Sequence, residues 1–251
     1  MEITLLRSAT LLVRYGGETF LIDPMLDPAG ARPAVKNTPN QQPNPLVELP
    51  DGWEELVDQA TVVLVTHLHS DHFDATAKEM LKKDLPLLCQ PEDLETIRDA
   101  GFNDLRPVEA QLQYGDITID RTPGQHGAGE IGKLMAPVSG FVFRAPGEPV
   151  FYLAGDTIWC DDVANAISQY QPEVIVVNGG GARFLVGDPI VMTADDIART
   201  HEATLYARIV VDHLEAINHC LETREFIASR LVELNARDAV TIPSDGETVR
   251  F

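Results

Sequence analysis

The sequence has little cysteine and little positive charge, and it lacks any long apolar run. Cys89, Cys160 and Cys220 are its only cysteines, odd in number and widely separated, with no CxxC pair. That excludes a disulfide framework and gives no sign of a cysteine-type structural zinc site. No uninterrupted apolar stretch nears the ~20 residues that cross a bilayer as a helix, so no membrane span is expected. The opening Met1-Glu2-Ile3-Thr4 has neither the basic segment nor the apolar core of a secretory signal. A reducing cytoplasm is the expected location.

Lys and Arg number 19 against 39 Asp and Glu, a net charge of −20. Proteins that grip nucleic acid neutralise phosphates with Lys and Arg, so nucleic acids and anionic membranes are not expected as partners. A small molecule is, and the composition is compatible with a homo-oligomer. With 251 residues, 44% hydrophobic and 23% charged, the chain suits a globular protein of one large domain or two small ones.

The first 23 residues read as a β-meander: Ile3 to Leu6, Leu11 to Tyr15 and Thr19 to Ile22 are β-rich, and Gly16-Gly17 is a hairpin turn. From about 24 to 50 the chain is rich in proline, and a loop of that length is functional or disordered; an ordered flap over the pocket is the expectation. Thr61 to Val65 is a continuous apolar run, the pattern of a strand buried on both faces. Helices are predicted over Asp74 to Lys83, with Asp74 as N-cap, and Pro91 to Ala100. Strands follow over Ile117 to Thr122, Gly140 to Arg144 and Val150 to Leu153. Helix and strand then alternate: Asp161 to Tyr170, Val174 to Val177, Thr193 to Ala203, Arg208 to Val211, Glu222 to Asn235 and Val240 to Ile242. Two sheets with helices on their outer faces satisfy both halves, an α/β fold.

The chemistry concentrates in Thr66-His67-Leu68-His69-Ser70-Asp71-His72. Alternation along a strand aims His67 and His69 the same way, while Asp71 and His72 follow as the chain turns toward a helix. Three imidazoles and a carboxylate in so short a stretch supply ligands for parts of two metal sites. Alone, His126, Asp156 and His213 are ambiguous, since each reads equally as a loop or capping residue. Each, however, follows a predicted strand, and sites built from strand ends are common in layered α/β proteins.

The order HxHxDH, a loop His, a Gly-Asp pair and a strand-end His resembles the metallo-β-lactamase superfamily, as does the opening meander ending in Leu21-Ile22-Asp23-Pro24. The resemblance covers nearly the whole chain and implies a single domain over residues 1–251, folded as a four-layer αββα sandwich with two metals on the rim between the sheets. It implies that His67, His69 and His126 hold one metal, Asp71, His72 and His213 the other, and that Asp156 bridges them. Asp23 then orients the ligand loops. The chain start, and Asn178-Gly179-Gly180-Gly181 after a strand, are similar to the small cytoplasmic members akin to L-ascorbate-6-phosphate lactonase.

Zinc and manganese both suit these ligands, with iron as a further candidate. Two divalent ions close together activate a bridging water, and Asp71 is the residue expected to exchange protons with it. Thr157 and Trp159 either line the pocket or simply pack, and the amides around Gly180 either face a substrate anion or form a plain loop. Between Asp212 and His219 two histidines compete: His213 is the expected ligand, while His219 and Glu215 either fold back to the pocket or begin a helix. The expected activity is hydrolysis of a small ester or lactone, including a sugar-phosphate lactone. The alternatives are a phosphodiesterase and a non-catalytic metal-binding sensor.

Overall fold

A computed structural model describes residues 1–135 and 137–251. Its first sheet begins with the meander β1 (Glu2–Arg7), β2 (Thr10–Tyr15) and β3 (Glu18–Ile22), then adds β4 (Val62–Val65), β5 (Leu87–Cys89) and β6 (Leu105–Pro107) in parallel. The second repeats this plan. β7 (Gln111–Tyr114), β8 (Ile117–Thr122), β9 (Gly140–Arg144) and β10 (Phe151–Leu153) are antiparallel, and β11 (Val174–Asn178), β12 (Arg208–Asp212) and β13 (Val240–Thr241) continue in parallel. A last strand, β14 (Thr248–Arg250), returns to pair with β1, so each sheet has seven strands. Parallel neighbours need crossovers, and there the helices lie, except for α4, which sits in the long connection between the antiparallel strands β8 and β9.

Those helices are α1 (Trp53–Val57), α2 (Ala75–Met80), α3 (Leu94–Asp99), α4 (Gly129–Met135), α5 (Asp161–Tyr170), α6 (Ala194–Ala203) and α7 (Arg224–Glu233). The pleat sorts the apolar runs into layers. Phe20, Ile22, Val62 and Leu64 point inward against Phe141, Phe151, Val174 and Val176 of the facing sheet. Leu21, Val63 and Val65 point outward to α1, α2 and α3, while Ile175, Val177, Ile209 and Val211 meet α5, α6 and α7. Strands β4 and β11 are therefore buried on both faces, as their unbroken apolar sequences require. The expected four-layer αββα arrangement is present. Among the described residues, no helix is long and apolar enough to cross a membrane.

Several boundaries differ from expectation. The helix after Asp74 ends at Met80, because Leu81 turns extended and buries its side chain in the outer core. The predicted helix from Pro91 opens with a 3-10 turn to Asp93. The last long helix starts at Arg224 behind a Thr223 cap, since the Glu222 carboxylate is occupied by the amide of Ala194. Strands β5, β6, β7 and β14 and helices α1 and α4 were not anticipated. They are too short to show a period.

The proline-rich stretch carries no helix or strand beyond one bridge, Arg32 to Asn44, yet it is tied at several points. The buried Arg7 guanidinium donates to the carbonyls of Met25, Asp27 and Val47 at 2.8–2.9 Å. Asn218 accepts from the Val35 amide and from Asn44 Nδ2. The stretch is thus fixed to the sandwich, and it delivers Val35 to the pocket described below.

Candidate metal centre

Asp23 organises the first ligand loop. Its backbone is left-handed (φ +44°), which swings the carboxylate back across the end of β4. Oδ1 accepts from the Thr66 amide, and Oδ2 accepts from Thr66 Oγ1 and His72 Nδ1, each at 2.7 Å. Thr66 Oγ1 spends its proton on Asp23, so toward His67 Nδ1, 3.1 Å away, it acts as acceptor. The amides of His72 and Phe73 both bond the His69 carbonyl, and Asp74 caps α2 by accepting from Ala77. Strand end, turn and helix start thereby hold four ligand-type side chains in one geometry.

The second sheet brings the rest. His126 follows β8, and its Nδ1 donates to the Ile190 carbonyl at 2.8 Å. Asp156 follows β10, and Asn178, at the end of β11, donates to its Oδ1 at 2.6 Å. His213 follows β12 in a left-handed conformation (φ +59°), with its amide on the Ser8 carbonyl and Nδ1 at 3.4 Å from Cys220 Sγ. Gly180 packs beneath it, where a Cβ would lie 2.9 Å from the His213 carbonyl oxygen.

Two groups of donor atoms result: His67, His69, His126 and Asp156 in one, Asp71, His72 and His213 in the other. Asp156 lies between them. Its Oδ2 is 3.2 Å from His126 Nε2, 3.3 Å from His72 Nε2 and 3.8 Å from His67 Nε2, and its Oδ1 is 3.9 Å from His213 Nε2. For His67, His72, His126 and His213 the outer nitrogen is engaged by the protein while Nε2 faces inward. The inner nitrogens of His72 and His213 are buried without a hydrogen bond. Such outer bonds fix the tautomer that leaves a lone pair for a cation. The donor set fits two divalent metals.

The charge balance agrees. Burial opposes ionisation of Asp71 and Asp156, yet the imidazoles around them hold both well below the usual carboxylate range. Burial and neighbouring His72 push His67 well down, and burial lowers His69. His72 and His213 are raised well above the ordinary value despite burial, through Asp156 and Asp23 for the first and Cys220 and Asp156 for the second. Carboxylates at this depth demand positive charge, which bound cations would provide in place of those protons.

A cavity of about 180 Å³ opens onto this centre, lined by Asp71, Asp156 and His69 below and by Val35, Met135 and Phe184 around. His219 lines it as well, from a turn and not from the start of a helix. Glu215 does not: Arg224 takes both its carboxylate oxygens, through the amide and the guanidinium. The amides of Gly179 and Gly181 are spent on the carbonyls of Asp212 and Met192, and none of the three glycines is among the residues lining the cavity. The role of the glycine turn at Gly180 is close packing. Thr157 accepts from the Gln125 amide and supports the His126 loop, and Trp159 packs on the outer core of the second sheet. Asn178 and Cys220 were missed. For Asn178 there was a signal, an amide at a strand end in the same relative place as the ligands.

Residues 18–214 match the beta-lactamase superfamily domain. The chain belongs to that superfamily. Within it, the UPF0173 protein YddR of Bacillus subtilis (strain 168) is 39% identical over 254 residues, covering all of both chains. A UPF0173 metal-dependent hydrolase of Xanthobacter autotrophicus is 26% identical over 205 residues, 77% of each chain. The crystal structure of an isothiocyanate hydrolase from Delia radicum gut bacteria superimposes with a TM-score of 0.95 at 36% identity, covering 100% of this chain and 99% of that one. At 39% identity to YddR over its full length, this chain is also a UPF0173 protein.

Proposed function

We propose that this metal-dependent hydrolase acts on small uncharged electrophiles with an apolar substituent, isothiocyanates foremost. The carrying observation is the pocket's chemistry: no Lys or Arg is among its described lining residues, while two carboxylates and an apolar lobe of Val35, Met135, Ala182 and Phe184 are. Asp71 and Asp156 are committed to the metals, which would receive a scissile phosphate, but a phosphate elsewhere on a substrate would find no Lys or Arg in the described lining. The sugar-phosphate lactone reading therefore loses support, a phosphodiester would depend on the metals alone, and the similar isothiocyanate hydrolase supplies a substrate class that fits.

The reaction would be R–N=C=S + H2O → R–NH2 + O=C=S. A C–O bond forms at the central carbon, the C–N bond breaks, and the nitrogen gains two protons. Divalent metals held by the two donor groups would supply Lewis acidity and an activated water. Asp71, kept ionised and lining the cavity, would take a proton from that water and return it to the departing nitrogen. The apolar lobe would bind R and exclude bulk water.

The test is turnover by zinc- and manganese-loaded protein of benzyl isothiocyanate, a neutral γ-lactone and bis(p-nitrophenyl) phosphate. Isothiocyanate should lead in kcat/KM by about 100-fold or more over the diester. A diester preference would sink the reading, and a lactone preference would restore the ester hydrolase.

A further inference from the structure

His219 belongs to neither metal group, yet it is built into the wall of the cavity above them. The residue is only 6% exposed, and its Nδ1 is closed to solvent with no hydrogen-bond partner among the described residues, so Nε2 is the ring nitrogen left to face the cavity. Burial pushes its pKa down to about 4, so the ring is uncharged at neutral pH and carries one N–H. Its position is enforced from two sides. The Arg183 amide bonds the His219 carbonyl, and Asn218 beside it grips both the amide and the carbonyl of Val35. The Phe184 ring lies 6.1 Å away at 36°, forming with His219 one wall, apolar at one end and polar at the other. A proton on the closed Nδ1 would be a buried donor with no acceptor, so the ring's one N–H belongs on Nε2, where what enters the cavity accepts from it.

We propose that His219 is the substrate's hydrogen-bond donor. Its ring N–H meets the heteroatom of a neutral N–C=S or carbonyl group on which charge builds as water adds to the carbon, while the substituent lies on Phe184. A neutral donor is suited to this place. A permanent cation would attract anions, and an acceptor would repel the developing charge. This assignment rests on the cavity's being a site for uncharged electrophiles, and it deepens that reading by naming the group that orients them.

The experiment uses the zinc-loaded protein, its His219→Ala and His219→Gln variants, and N-benzylthiourea as a non-reacting neutral probe titrated calorimetrically beside benzyl isothiocyanate kinetics. His219→Ala should bind the probe about tenfold more weakly, the loss expected of one neutral hydrogen bond. Its kcat should fall about 10–100-fold, with a smaller change in KM. His219→Gln, which keeps an N–H donor, should recover both to within about fivefold of the wild type. Both variants should keep the wild-type metal content. Probe affinity unchanged in His219→Ala, equal losses in the two variants, no probe binding to the wild type, or loss of metal from His219→Ala would each overturn the proposal. If the wild type fails to turn over isothiocyanate but its probe binding still depends on the His219 N–H, the substrate reading falls and the donor assignment stands.

Discussion

Asp156 faces four imidazole nitrogens at 3.2–3.9 Å and is itself bonded by Asn178. Removing its carboxylate leaves those nitrogens crowded with no shared counter-charge and takes a donor from the place where the two groups meet. Asp156→Ala should therefore lower kcat/KM by more than the 10–100-fold that a supporting residue around a metal typically costs. His201→Ala, on α6 and outside both groups, should stay within about twofold of the wild type. Both are read with metal content and thermal melts in parallel, and equal losses in two folded variants would refute the bridging place of Asp156. The ligand-type residues were legible because each carries a donor at the end of an apolar strand. Their supports were not. The Ile190 carbonyl and Cys220 reach the site from loops whose course no local pattern encodes, while Asn178 had only its place at a strand end to mark it.

Elements were legible in proportion to length and periodicity. The ten-residue helices α5 and α6 fall within a residue of expectation, and the Thr193 capping box with Asp196 is formed. The three-residue strands β5 and β14 were lost because position in the sheet, not propensity, makes them strands. One element junction carries a titratable cost. Asp93, between the 3-10 turn and α3, bonds Gln90, which accepts from Ser139 in the second sheet's region. Burial pushes its carboxyl up to about 6. The folded state then holds a proton that the unfolded chain releases near pH 4, so this group's contribution falls as pH rises from about 4 to about 6 and stays low above that. Asp93→Asn keeps an acceptor for Gln90 without the charge. It should be more stable than the wild type by about 1–3 kcal/mol at pH 7.5 and show no gain at pH 4 in urea unfolding. A gain that does not change with pH would show that the carboxyl's ionisation is not the cause.

At the scale of the whole molecule the centre is a clasp. The first sheet contributes His67, His69, Asp71 and His72 from one loop, while the second contributes His126, Asp156 and His213 from three strand ends. Nothing in the sequence says that these segments converge. Their order along the chain carries the signal, and its physical basis is the shared rim to which the carboxyl ends of both sheets lead. Cations bound there hold the sheets to each other through bonds absent from the unfolded chain, so metal affinity becomes folding stability. Protein purified without chelator should carry about two divalent ions per chain, because seven donors exceed what one tetrahedral ion uses. Stripping them should cost about 4 kcal/mol when free metal stands ~1,000-fold above its dissociation constant. At about 2–4 °C per kcal/mol for a chain of this size, that is a fall of about 10 °C in Tm. Hydrogen exchange should quicken first at Thr66 to Phe73 and around His213, backbones that carry the donors, and spare β2 and β9. A stoichiometry held below one after supplementation would leave the second group of donors without a metal. A melt unmoved by stripping would show that the sandwich closes its rim by side-chain contacts alone.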